Sequence, residues 1–172
     1  MKKILLTAVA CLMGCIFAYS QTIPETVEFK NAAESTAHDG DALYCADFIL
    51  ASSGESLEFY KASAYVLAWI SATDYITVSL GDAQAPIMKN TTLFSVYLAA
   101  LAKNTIETKR DGKEINPEAV HIYSMNAVLD YYLKNKGNLG KVKALDKYSS
   151  LRNDGKLDEK LSEEYRKMIE KN

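Results

Sequence analysis

The sequence predicts an all-α protein: about six helices in a bundle or in stacked helix hairpins, behind an N-terminal signal peptide. Two observations carry the helical reading. Apolar residues recur at steps of three and four through most of the chain after residue 38. Helix starts and stops separate these runs at short intervals, while no two segments alternate in a way that would let strands pair. A third observation gives the leader. Lys2 and Lys3 precede an almost unbroken apolar run from Ile4 to Phe17, and Ala18-Tyr19-Ser20 places small residues three and one positions before a cut ahead of Gln21.

That leader implies a periplasmic or secreted protein. The run is short for a membrane span, which takes about 20 apolar residues. An alternative is a lipid anchor at Cys15. Leu12-Met13-Gly14-Cys15 has the order of a lipobox, although Met13 fits poorly and Ile16-Phe17-Ala18 stays apolar past the cysteine. Removing residues 1–20 leaves 152 residues with no second long apolar run, hence one domain and no transmembrane segment in the mature chain.

Residues 21–38 read as a weakly structured lead-in, with Pro24 and the polar stretch from Asn31 to His38. The helical domain spans 39–172. Its first helix starts at Asp39 or Asp41, carries Leu43, Ala46 and Leu50 inward, and stops at Ser52-Ser53-Gly54. The second begins near Glu55, with Phe59, Ala62, Val66, Trp69 and Thr73 forming the clearest stripe in the chain. Residues 75–80 are ambiguous. Ile76, Val78 and Leu80 alternate as in a strand, yet no partner strand exists, and the segment is read as irregular through Pro86.

Asn90 starts a third helix running to about Lys109. Asn116-Pro117 opens a fourth, with Asn as cap and Pro at the first helical position, ending near Lys134. Two apolar stripes on this fourth helix, one through Val120 and Tyr131 and one through Ile122 and Leu129, mean that it is covered on two sides. Val142 to Leu151 and Leu157 to Ile169 supply the last two helices. Phe59 and Phe94 lie 35 residues apart, near the tetratricopeptide period, but the small-residue pattern of those repeats is missing.

Composition excludes several functions. The mature chain holds 18 basic and 22 acidic groups, a net of −4, so nothing points to nucleic acid. The charge is uneven: residues 21–100 hold three Lys against ten acids, and residues 101–172 hold fifteen basic groups against twelve. Cys45 alone remains after the leader, in an apolar setting suited to a small buried side chain. Only His38 and His121 could serve a triad, a His-bound metal or a histidine base, and no H-E-x-x-H, G-x-S-x-G, phosphate loop or C-x-x-C is present. Asp47 and Asp74 lie among apolar neighbours but read as a surface acid and a helix-end residue. No catalytic residue, metal ligand or cofactor site is assigned, and the chain is read as not an enzyme.

The stretch Phe59-Tyr60-Lys61-Ala62-Ser63, then Val66-Leu67-Ala68-Trp69 and Asp74-Tyr75-Ile76-Thr77-Val78, resembles a group of small exported helical proteins of Bacteroidota with no assigned activity. Lys147-Tyr148, Leu151 and Gly155-Lys156-Leu157 are similar as well. The resemblance implies an exported, all-helical protein and assigns no functional residue.

The expectation is an exported helical module that binds another protein, whose identity the sequence does not give. One narrower version is an inhibitor or immunity-type protein. The rival is a small-ligand or glycan binder that stacks sugars on Trp69 and on surface tyrosines such as Tyr60, Tyr75 and Tyr132. The lysines at 134, 136, 141, 143 and 147 read as a solvated face near a helix C-terminus.

Overall fold

A computed structural model describes residues 22–25, 28–81 and 84–171. The leader, with Cys11 and Cys15, lies outside the described residues. Among those described there are eight helices and no strand, packed as a bundle. They are α1 (Ala32–Ala37), α2 (Asp39–Ala51), α3 (Leu57–Ala72), α4 (Ala85–Met88), α5 (Thr91–Arg110), α6 (Pro117–Leu139), α7 (Lys143–Asn153) and α8 (Leu157–Glu170). None of them is long and apolar enough to cross a membrane.

The six expected helices are α2, α3, α5, α6, α7 and α8. The two extra ones are short. Helix α1 falls within the expected lead-in, where Asn31 Oδ1 accepts the Glu34 amide at 3.0 Å and Ser35 is fully buried. That segment is therefore docked from Ala32 onward. Its six residues are too few to show a helical period. Helix α1 ends at His38, which also serves as the N-cap of α2, so neither Asp39 nor Asp41 caps that helix.

Asn90 and Asn116 cap α5 and α6 where the sequence starts those helices, and Ser56, one residue past the expected start, caps α3. Ser56, Asn90 and Asn116 accept the amides of Phe59, Leu93 and Ala119 at 3.0, 3.0 and 3.1 Å. Helix α6 runs past its expected end, but its backbone leaves helical geometry at Asn135, whose Nδ2 donates to Tyr131 O at 3.0 Å. A side chain inserted into the backbone ladder kinks the helix there.

Helix α5 is central, packing against α2, α3, α4 and α6. From Thr92 to Ala102 every residue but Phe94 is buried. Ala99, Ala100 and Ala102 put little bulk between α5 and its neighbours. On the far side, α7 and α8 pack on α6 and on each other. Trp69, Tyr65, Tyr97, Tyr132 and Phe59 are the largest fully buried side chains.

The turn between α2 and α3 uses two successive left-handed residues, Gly54 (φ 89°) and Glu55 (φ 61°). A Cβ on Gly54 would lie 2.9 Å from Tyr131 Oη and 3.1 Å from Thr92 Cγ2. Gly54→Ala should therefore cost about 2–3 kcal/mol from left-handed strain plus overpacking. Gly137 sits in α6 with open space around its Cβ position. Gly137→Ala should instead be neutral or stabilise by about 0.5–1 kcal/mol. Urea titration of both variants checks the contrast.

Candidate functional site

The described part of the segment between α3 and α4, residues 73–81, is an extended non-helical stretch. Helix α3 ends at Thr73, whose Oγ1 accepts the Tyr75 amide at 3.2 Å. Residues 76–80 then run on without helix, turn or bend, and none has positive φ. An unbent run confined to negative φ is extended. Ile76 and Val78 pack against the core, while Thr77 and Leu80 are exposed. The strand-like alternation of the sequence holds from Ile76 to Val78 and breaks at Leu80, which is exposed, in a strap laid over helices. Among the described residues, the peptide groups of Ile76, Thr77, Val78, Ser79 and Leu80 make no hydrogen bond. Buried and unpaired, each would cost several kcal/mol. Peptide groups that a fold leaves unpaired are satisfied by water or by another molecule.

The strap is held at both ends. Near its C-terminal end, Gln84 is fully buried. Its Oε1 accepts the Gly81 amide at 2.8 Å, and its Nε2 donates to His121 Nδ1 at 3.0 Å. Tyr97 Oη also donates to Nδ1, at 3.2 Å. Two donors aimed at Nδ1 fix the neutral tautomer with its proton on Nε2. That Nε2 is buried without a protein partner. His121 helps line a space of about 10 Å³ beneath Ile76–Ser79, with Pro117 and Tyr165, which is room for about one water. Tyr165 of α8 covers the ring at 5.5 Å between centroids, and Met168 lies where a Cβ on Gly81 would come within 2.8 Å. Burial lowers the His121 pKa to about 4, against the opposing pull of Glu164 and Glu118. His121 is thus a neutral core acceptor, 3% exposed, rather than a residue at the core boundary.

At the strap's other end lies a second polar cluster. Trp69 Nε1 donates to Ser35 O and to Asp39 Oδ1, both at 3.0 Å, and Tyr75 Oη donates to Asp39 Oδ2 at 3.0 Å. One indole and one carboxylate therefore tie α1, α2, α3 and the start of the strap together. Alongside, Tyr65 Oη donates to Asp41 Oδ2 at 3.3 Å and lies 3.1 Å from His38 Nδ1, itself 3.0 Å from that same oxygen. Burial, then the Asp41 charge, raises the Tyr65 pKa. Phe29 packs edge-on to the Tyr65 ring and tilted to that of His38. His38 is half-exposed, but its ring is spent on joining helices.

The chain has no match among protein-family models, curated proteins or solved structures.

The remaining candidates have structural employment. Trp69 is sealed in the core, and Tyr132 is buried with its hydroxyl donating to Asp146 at 3.0 Å and accepting the Val142 amide at 3.1 Å. Tyr75 is held by Asp39, which leaves Tyr60 alone of the named rings largely exposed. The aromatic platform expected for a sugar is not assembled. Asp47 is exposed and paired with Lys103 of α5; Asp74 is exposed at the end of α3. Of the lysine run, Lys136 pairs with Asp146 and lies over the Tyr132 ring. Along α8 a shallow groove is lined by Glu159, Lys160, Glu163, Arg166 and Lys167, and most of these charges are paired with each other or with α6. No group of three His, Cys, Asp or Glu side chains among the described residues could hold a metal ion. Tyr97 and Tyr165 read in the sequence as members of the apolar stripes of their helices, whereas Gln84 went unremarked, since nothing marks a buried glutamine between a glycine and a proline.

Two measurements follow. Unfolded His121 takes a proton near pH 6.5 and the folded residue only near pH 4, so protons bind the unfolded state first. Its contribution is present above pH 6.5 and is lost as pH falls towards 4, up to about 3 kcal/mol in all. His121→Leu should be less stable at pH 7 and show a shallower fall over this window in denaturant titrations. Burial, reinforced by Asp41, pushes the Cys45 thiol up to about 12. Native protein at pH 8 should leave Cys45 unmodified by iodoacetamide over hours, and urea should make it react at the rate of a free thiol.

Proposed function

We propose that this chain is an exported, non-enzymatic module that binds another protein, and that the strap at residues 76–80 is its binding element. The observation that carries the reading is a β-favouring sequence held extended on the surface with five successive peptide groups uncommitted. Open backbone of this kind is read by another polypeptide, which pairs with it as an added strand. A sugar or small metabolite gains little from such a row, and the ring that would stack a sugar is Trp69, enclosed by the core. The inhibitor reading is one case of protein binding and shares the same element. Export rests on the leader sequence and on the resemblance to small exported helical proteins.

Thr77→Pro tests this without disturbing the fold. Thr77 is exposed, its amide bonds nothing internally, and an extended residue precedes it, as proline requires. Stability should hold, or rise by up to about 1 kcal/mol. Tagged protein cross-linked in the exporting cells should capture a partner that Thr77→Pro loses, with Val78→Pro testing the opposite edge. Capture that survives both substitutions would remove the strap as the binding element. Intact mass of the exported chain should correspond to a start at Gln21.

A further inference from the structure

We propose that His121 is an acid-sensitive latch: a proton taken up at its Nδ1 detaches Gln84 and frees the C-terminal end of the strap, while the helices around α5 stay folded. The latch does not depend on the protein-binding reading above. It is a chain of two hydrogen bonds. The Gly81 amide donates to Gln84 Oε1 at 2.8 Å, and Gln84 Nε2 donates to His121 Nδ1 at 3.0 Å. The first bond fixes which way the Gln84 amide points, so its NH2 faces the ring. The ring accepts there only while Nδ1 carries no proton. A proton on Nδ1 sets donor against donor. Turning the Gln84 amide over would give Nδ1–H an acceptor but set the NH2 against the Gly81 amide. Either way one link of the chain is lost. Tyr97 Oη, 3.2 Å from Nδ1, is a hydroxyl and can rotate to accept the new proton, so the ring keeps a partner while Gln84 does not.

The surroundings decide which part moves. Helix α8 brings Glu164 and Tyr165 towards the ring, α6 brings Glu118, α5 brings Tyr97, and the strap over it, Ile76 to Ser79, brings no charge. Glu118 is engaged by Arg166 and Ser162, and Glu164 by Tyr148 and Lys160. The two carboxylates favour a charged ring from a distance, but burial outweighs them. Tyr165, 5.5 Å away between centroids, offers a cation an aromatic contact, so α8 gains rather than loses by the charge. The strap loses its tie and, by lifting, lets water reach the imidazolium. Its other end stays anchored, since Tyr75 remains bonded to Asp39 at 3.0 Å. Lifting returns the ring from a pKa of about 4 towards the ordinary 6.5. The closed strap is therefore favoured in full above pH 6.5 and is released progressively as pH falls towards 4.

Hydrogen exchange on the full mature chain tests the latch, read as protection relative to an unstructured amide at each pH. The probe is the Gly81 amide, the first link of the chain. Its protection should fall about 20-fold between pH 7 and pH 5, through an opening that 1 M urea barely changes. Amides buried in α5, such as that of Leu98, should exchange only through unfolding that urea promotes steeply. His121→Asn keeps an acceptor on Cγ in place of Nδ1 but takes up no proton, and should make Gly81 protection independent of pH. Gln84→Met, which removes the middle of the chain, should leave Gly81 unprotected already at pH 7. The unsubstituted protein decides the matter even where a variant folds poorly. A Gly81 amide that is unprotected at pH 7, or whose protection is unchanged from pH 7 to pH 4, overturns the latch. So does a Gly81 urea dependence equal to that of Leu98, because the strap then opens only with the whole bundle. A pH response that persists in folded His121→Asn overturns it as well.

Discussion

The structure depends on burying α5 along most of its length. A helix covered on one face needs one neighbour, but α5 is inaccessible from Thr92 to Ala102 apart from part of Phe94, so it must be surrounded. Helices α2, α3 and α6 supply most of that cover, and α4 seals its start. The alanines at 99, 100 and 102 let neighbours approach, while Tyr97 and Leu101 fill the wider spaces. Where helices run out, beside Tyr97, the strap completes the wall. That peptide connects α3 to α4, both of which pack on α5.

Much of this was legible in the sequence, for a simple reason. The Phe59–Ala62–Val66–Trp69 stripe and the Asn-Pro start at 116–117 are local signals, and the six long helices follow from them. What sequence could not supply was the use of polar groups. Trp69 looked like either core or platform, and the choice turns on Ser35 and Asp39, residues some thirty positions away that no period connects to it. Nothing local in the sequence buries His121, which follows Val120 near a helix start. Its burial comes from Gln84 and Tyr165, which arrive from a loop and from the last helix. Helices α1 and α4 are shorter than two turns and leave no periodic trace.

The ambiguity at residues 75–80 was informative. Local sequence favours a strand, the topology offers no partner strand, and the outcome is an extended chain without a ladder. Local preference and global fold disagree here, as they commonly do where a protein meets something else. By contrast, the polar pairs at His38–Asp41–Tyr65 and at Tyr132–Asp146 are consistent with the fold at every level, and they act as ties between helices.

The kink at Asn135 has an effect beyond geometry. It redirects the tail of α6 so that α7 and α8 return as a hairpin against α6 and each other, outside the shell that surrounds α5. Such an appended hairpin, with its many surface ion pairs and few fully buried side chains, forms a cooperative unit weaker than the rest of the bundle. Tyr165 and Met168 belong to it, so this hairpin covers His121 and the end of the strap. Helix α8 thereby shields a neutral imidazole from water.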